Sequence, residues 1–211
     1  MKLGICSCVY ADSTLESVCS KFSEYNIETI EITANLRNKQ IDASKILMEN
    51  SEAKEEIKRI TEVIQKYHME ITSVNAAENP LHPREKIREG YRKHFENAVK
   101  MAAALGVDTV TVFSGTPVGA TGDSAPNWVT CPWPEENLKI LKYQWEEEVI
   151  PYWKRAAEFA RSWGVNKLAF EMHPGFCVYN LETLLKLREE VGENIGANLD
   201  PSHLVWQGMT A

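Results

Sequence analysis

Leu168-Ala169-Phe170-Glu171-Met172-His173-Pro174 and Ile195-Gly196-Ala197-Asn198-Leu199-Asp200-Pro201-Ser202-His203 are two short, mostly apolar runs that each close on a carboxylate. Each carboxylate has a proline within three residues and a histidine two or three positions on. Short apolar runs bounded by Gly and Pro read as strands of a buried parallel sheet. The carboxyl ends of such strands are where α/β proteins collect the polar groups that bind ligands. Two hard oxygen donors and two imidazoles at that position point to a divalent cation.

The same alternation extends back to the N-terminus. Strands are expected at 3–7, 28–32, 70–74, 108–113, 167–171 and 195–199, and helices at 13–25, 52–67, 85–105, 144–163 and 181–191. Regular βα alternation implies parallel strands joined by helical crossovers. Asp12 or Ser13 is expected to cap the first helix, with Gly106 and Gly164 ending the third and fourth. Glu55, Glu56, Lys58 and Arg59 read as a solvated helix face. One irregular segment, 114–136, is far longer than the roughly 2–6 residues of an ordinary βα connection and is expected to wall a pocket. A second irregular piece, 75–83, adds Glu78, Asn79 and His82 at the same end of the sheet.

Composition narrows the classes. The chain has 211 residues, 44% hydrophobic and 25% charged, enough for one sizeable core, and is read as one domain over 1–211 without linker or low-complexity tract. A net charge of −7 and a pI near 5.4 argue against a phosphate-tracking nucleic-acid surface. No run approaches the ~20 apolar residues of a membrane span. Five scattered cysteines, an odd number, do not suggest a disulfide framework, and the cytoplasm is the expected compartment.

Six strands fall short of the eight in a closed (β/α)₈ barrel, which takes ~250 residues. Spacing alone leaves two readings: an open doubly wound sheet, or a barrel truncated after its sixth strand. Particular segments choose between them. Leu3-Gly4-Ile5-Cys6-Ser7, Ile30-Glu31-Ile32-Thr33, Phe170-Glu171-Met172-His173-Pro174-Gly175 and Asn198-Leu199-Asp200-Pro201-Ser202-His203-Leu204 resemble, in order along the whole chain, the xylose isomerase-like TIM barrels. More narrowly, they resemble the sugar phosphate isomerase/epimerase group that includes inosose dehydratase. The fold expected is therefore an α/β TIM barrel, C-terminally truncated after the sixth strand.

That resemblance implies a divalent cation, manganese first and magnesium, cobalt or zinc behind it, with Glu171 and Asp200 as its first two ligands. It implies a sugar or cyclitol substrate isomerised or epimerised through an enediolate, with Glu171 catalytic. His203 resembles a family histidine that hydrogen-bonds a substrate hydroxyl. His173 and Asn198 share strand faces with Glu171 and Asp200 by parity and are expected to bind substrate, as is His82 in its loop. Asn198 has a second reading, holding the aspartate in place, and Glu31, at the end of the second strand, reads equally as a pocket or a salt-bridged residue. Trp128 and Trp133 either stack on a sugar or anchor their loop. His68 and His94 are expected at the surface. Cys177 stands where some family members carry an acid/base glutamate, so their proton-transfer scheme does not transfer unchanged. Rival readings are a metal-dependent lyase, either inosose dehydratase-like or cleaving 3-keto or C-glycosides. Less favoured are an endonuclease IV-like nuclease and a non-catalytic sugar-binding barrel. No nucleic acid or membrane partner is expected; homo-oligomer and hetero-subunit both stay open.

Overall fold

Each strand pairs with the next one along the chain. A computed structural model describes residues 2–34, 39–48 and 50–209. The strands are β1 (Gly4–Cys6), β2 (Thr29–Thr33), β3 (Glu70–Ala76), β4 (Thr109–Val112), β5 (Lys167–Glu171) and β6 (Ile195–Asn198). They form one parallel sheet in the order β1-β2-β3-β4-β5-β6. A doubly wound sheet reverses its strand order at a switch point, and this one never does. The sheet also curls: a cleft of about 390 Å³ is lined by residues of all six strands, from Cys6 of β1 to Asn198 of β6. Sequential order and curl together make this the α/β barrel architecture, with six strands.

Strand alternation sorts the side chains. Ile30, Ile32, Val74, Val110, Val112, Leu168, Phe170 and Ile195 are at most 1% exposed and form the apolar core between sheet and helices. Each such side chain contributes about 1.5–3 kcal/mol by leaving water. The intervening residues Glu31, Ser73, Thr111 and Asn198 face the concave side and line the cleft. The polar row therefore sits inside the curl, opposite a dry apolar row that fixes the register.

Eight α-helices join or follow the strands among the described residues: α1 (Leu15–Glu24), α2 (Ala43–Ile46), α3 (Ser51–Lys66), α4 (Glu85–Leu105), α5 (Glu136–Tyr143), α6 (Ile150–Ser162), α7 (Leu181–Val191) and α8 (Pro201–Trp206). α5 and α6 are joined by a π-helical turn, Gln144–Val149, so the expected 144–163 helix starts eight residues early. The short α2 and α8 are not visible as periodic patterns. Thr14, rather than Asp12 or Ser13, caps α1 through its hydroxyl, which accepts from Ser17 N at 3.2 Å. Gly106 and Gly164 end α4 and α6 with φ of +70° and +81°, as expected. None of the helices described is long and apolar enough to cross a membrane.

The charged run on α3 is not uniformly solvated. Glu56 is 7% exposed; it accepts from Asp42 N at 2.9 Å and from Arg59 at 2.6 and 2.8 Å. Arg59 Nη2 goes on to Gln40 O at 2.8 Å, so this pair ties α3 to the segment before α2. His94 is likewise not a surface residue: it is mostly enclosed and faces Glu78, with Nδ1 3.3 Å from Oε1. His68 does lie exposed at the end of α3, with φ of +54°.

Candidate metal centre

β5 ends at Glu171 and β6 at Asn198, and the two residues are partners in the parallel register. That pairing puts both side chains on the concave face, where Asn198 Nδ2 donates to Glu171 Oε2 at 3.1 Å. Asp200 lies two residues beyond the strand as the N-cap of α8, its Oδ1 accepting from Ser202 N at 2.8 Å. Pro201 at the first helical position suits this start, since its fixed φ is already helical and its missing N–H would have had no partner. One turn into α8, His203 points back over the strand ends. Its Nε2 is 3.0 Å from Glu171 Oε1 and 3.5 Å from Asp200 Oδ2.

Glu171, Asp200 and His203 thus offer three ligand atoms, all within 4.8 Å of one another and all partly buried. Adjacent ligands around a cation at about 2.1 Å stand roughly 3 Å apart, so the spacing and the donor chemistry fit a divalent metal. Asp200 is held below the usual carboxylate range, first by its hydrogen bonds to Ser202 and then by the nearby histidines. It is an anion over the whole neutral range. Because a carboxylate only accepts, Nε2–H of His203 donates to Glu171; holding a cation through that nitrogen requires its proton to leave.

An aromatic wall flanks the cluster. The His173 ring sits 4.1 Å from that of His203, and Phe113 lies 5.0 Å from His173 and stacks on Phe176 at 4.4 Å. His173 Nδ1 donates to Pro174 O at 2.6 Å, which leaves Nε2 as the free ring nitrogen. The loop bearing His173 is fixed from behind by Ser114, whose carbonyl accepts from Trp153 Nε1 at 2.8 Å and whose hydroxyl accepts from Val178 N at 2.8 Å. Trp153 itself packs edge-on to Phe170 and Phe95.

The structure therefore brings Glu171, Asp200, His203, His173 and Asn198 together. Asn198 steadies Glu171, not the aspartate. Among the described residues no contact joins His82 to this group: its Nδ1 accepts from Arg84 N at 3.0 Å and its ring meets Tyr91. Glu31 does not close β2 but is its third residue, and among the described residues no ion pair engages it. Its carboxylate accepts from Ser73 at 2.6 Å, Thr111 at 2.8 Å and Asn75 at 2.9 Å. Of the loop tryptophans, Trp128 anchors against Tyr179, whereas Trp133 is 74% exposed. Cys177 is buried, and burial pushes its thiol up to about 12, so it has no acid/base capacity near neutrality. Sequence parity from the concave Thr111 reaches Phe113, but nothing in the pattern marks Phe176.

Comparison with known proteins follows the same lines. The family model described as xylose isomerase-like TIM barrel matches residues 19–211. The uncharacterized protein YfiH of Bacillus subtilis (strain 168) is 35% identical over 210 residues, 99% of this chain and 66% of that protein. Among solved structures, the probable 3-DHS dehydratase AsbF of Bacillus anthracis superposes with a TM-score of 0.68 at 18% identity, covering 99% of this chain and 66% of that one. The IOLI protein with a binding zinc atom gives 0.64 at 20% identity, covering 100% and 66%. D-psicose 3-epimerase gives 0.62 at 14%, covering 100% and 67%. The chain spans just under two thirds of the length of YfiH, AsbF and IOLI.

Proposed function

The chain belongs to the xylose isomerase-like TIM-barrel family, and from that premise we propose that it is a divalent-metal-dependent isomerase or epimerase acting on a sugar or cyclitol through an enediolate. The observation that carries this reading is the convergence of Glu171, Asp200 and His203 at the carboxyl ends of β5 and β6. The zinc atom in IOLI and the sugar named for D-psicose 3-epimerase support it by analogy of fold. A bound divalent cation, Mn²⁺ in the first instance, supplies Lewis acidity to adjacent substrate oxygens.

The protein's own groups do the rest. Glu171 is the carboxylate placed to take the proton α to the carbonyl, and Asn198 fixes its orientation. His173 offers a free Nε2 for a substrate hydroxyl, with its ring set by Pro174 O. Phe113 and Phe176 give that side of the site a dry wall, which strengthens each polar contact.

A second reading, a lyase that eliminates water or an aglycone after the same proton abstraction, is favoured by Cys177. Epimerisation needs an acid/base group on each face of the sugar, and the buried Cys177 thiol supplies none where some family members carry a glutamate. Incubating the protein in its full natural length with Mn²⁺, a ketose panel and 3-keto glycosides separates the two. Isomer formation that stops on chelation is the expected outcome. Loss of water or aglycone without isomer would transfer the assignment to the lyase, and no metal-dependent turnover on any substrate would remove both.

A further inference from the structure

Cys6 and Cys8 lie at the carboxyl end of β1, at the same end of the sheet as Glu171 but on the far side of the curl. Cys6 is the last residue of β1, paired in register with Glu31, and its side chain lines the central cleft. Cys8 sits in the 3₁₀ turn Ser7–Tyr10 that follows and is exposed. The turn folds back so tightly that the two sulfurs stand 3.0 Å apart. It is held in that shape from outside: Gln40 Nε2 donates to both Ser7 O and Tyr10 O at 2.9 Å, and Ala11 N closes onto Cys8 O at 3.2 Å.

We propose that Cys6 and Cys8 form a dithiol site that small-molecule disulfides oxidise reversibly to an intramolecular disulfide. The asymmetry of the pair assigns the roles. Cys8 is exposed and meets the incoming disulfide, whereas burial, with Cys8 alongside, pushes the Cys6 thiol up and keeps it a protonated reserve. In the first step the Cys8 thiolate attacks a sulfur of RSSR, forming the Cys8–SR mixed disulfide and releasing RS⁻. In the second, Cys6 gives up its proton to solvent base, its thiolate attacks Cys8 sulfur, the Cys8–SR bond breaks, and the departing RS⁻ is protonated in turn. The two protein thiols are oxidised by two electrons and RSSR is reduced to two thiols. Proximity sets the outcome: the second step is intramolecular between atoms already in contact, so the mixed disulfide does not accumulate.

The test uses oxidised glutathione on the native protein, followed by acid quench, alkylation of remaining thiols, and mass mapping after chymotryptic cleavage at Tyr10, which separates Cys6 and Cys8 from Cys19. The expected result is a fall from two alkylated thiols to none in residues 1–10, with the segment two hydrogens lighter and free of glutathione. Cys6→Ser is expected to trap glutathione on Cys8, and Cys8→Ser to leave Cys6 free. Wild-type protein that keeps both thiols alkylatable in excess oxidised glutathione, or retains glutathione on Cys8, overturns the proposal. The readout is independent of metal binding and turnover.

Discussion

Asn198 Nδ2 donates to Glu171 Oε2 across a β5–β6 register pair, so the orientation of one carboxylate is set by the strand next door. Groups that steady a metal ligand typically account for 10–100-fold in affinity. Asn198→Ala is therefore expected to weaken Mn²⁺ binding by roughly that factor, while Glu171→Gln, which removes a ligand charge outright, abolishes measurable binding. Titration calorimetry with Mn²⁺ decides; equal affinity in wild type and Glu171→Gln would remove Glu171 from the ligand set.

Asp200 has two jobs that different substitutions separate. Its carboxylate belongs to the candidate metal group, and the same side chain caps α8. Asparagine caps about as well as aspartate, whereas alanine forfeits about 1 kcal/mol. Asp200→Asn is expected to leave the thermal midpoint nearly unchanged and to lose metal affinity; Asp200→Ala loses both. If Asp200→Asn binds Mn²⁺ like wild type, the aspartate is only a cap.

The apolar runs and the residues that close them announced the strands, because period-2 burial on a parallel sheet leaves a legible trace in sequence. Glu171 and Asp200 were visible for the same reason. What was not legible depends on long-range geometry. Glu56 looked solvated because helix periodicity cannot reveal that Asp42 N and Gln40 O, more than a dozen residues away, would close over it and Arg59. Glu31 reads equally as a pocket or a salt-bridged residue because nothing local says that Ser73, Asn75 and Thr111 would all turn donors towards it. His203 reads, by resemblance, as a histidine for a substrate hydroxyl; its direct approach to both carboxylates needs α8, a helix too short to leave a periodic signal.

Gly115 ties together the loops that carry the site. Its φ is +86°, and a Cβ there would meet Leu81 Cγ at 2.8 Å, while its carbonyl accepts from Cys177 N. Gly106 shares the positive φ, +70°, with open space around its missing Cβ. Gly106→Ala should therefore cost only backbone strain, about 1 kcal/mol, whereas Gly115→Ala adds overpacking of about 1–3 kcal/mol. Urea denaturation measures both, and equal costs would mean that Leu81 and its loop accommodate the methyl freely.

The Glu56–Arg59 pair predicts how stability depends on pH. Arg59, hydrogen-bonded to Glu56, holds its carboxyl below the usual range, with Asp42 N assisting against the cost of burial. A carboxyl whose folded pKa is depressed binds its proton more readily in the unfolded chain. Its stabilisation is therefore complete above the unfolded value, about 4.3, and is lost as pH falls through the lower folded value. Glu56→Gln removes the charge, leaves Arg59 without its carboxylate partner and is expected to cost about 1–3 kcal/mol at pH 7. The gap between wild type and variant should hold from pH 7 to about 5 and narrow steadily below 4, because wild type alone loses this contribution on protonation. Unfolding free energies from urea titrations at pH 7, 5, 4 and 3 give the comparison. A gap that stays constant down to pH 3 would show that the stabilisation comes from packing of the side chain and not from its charge.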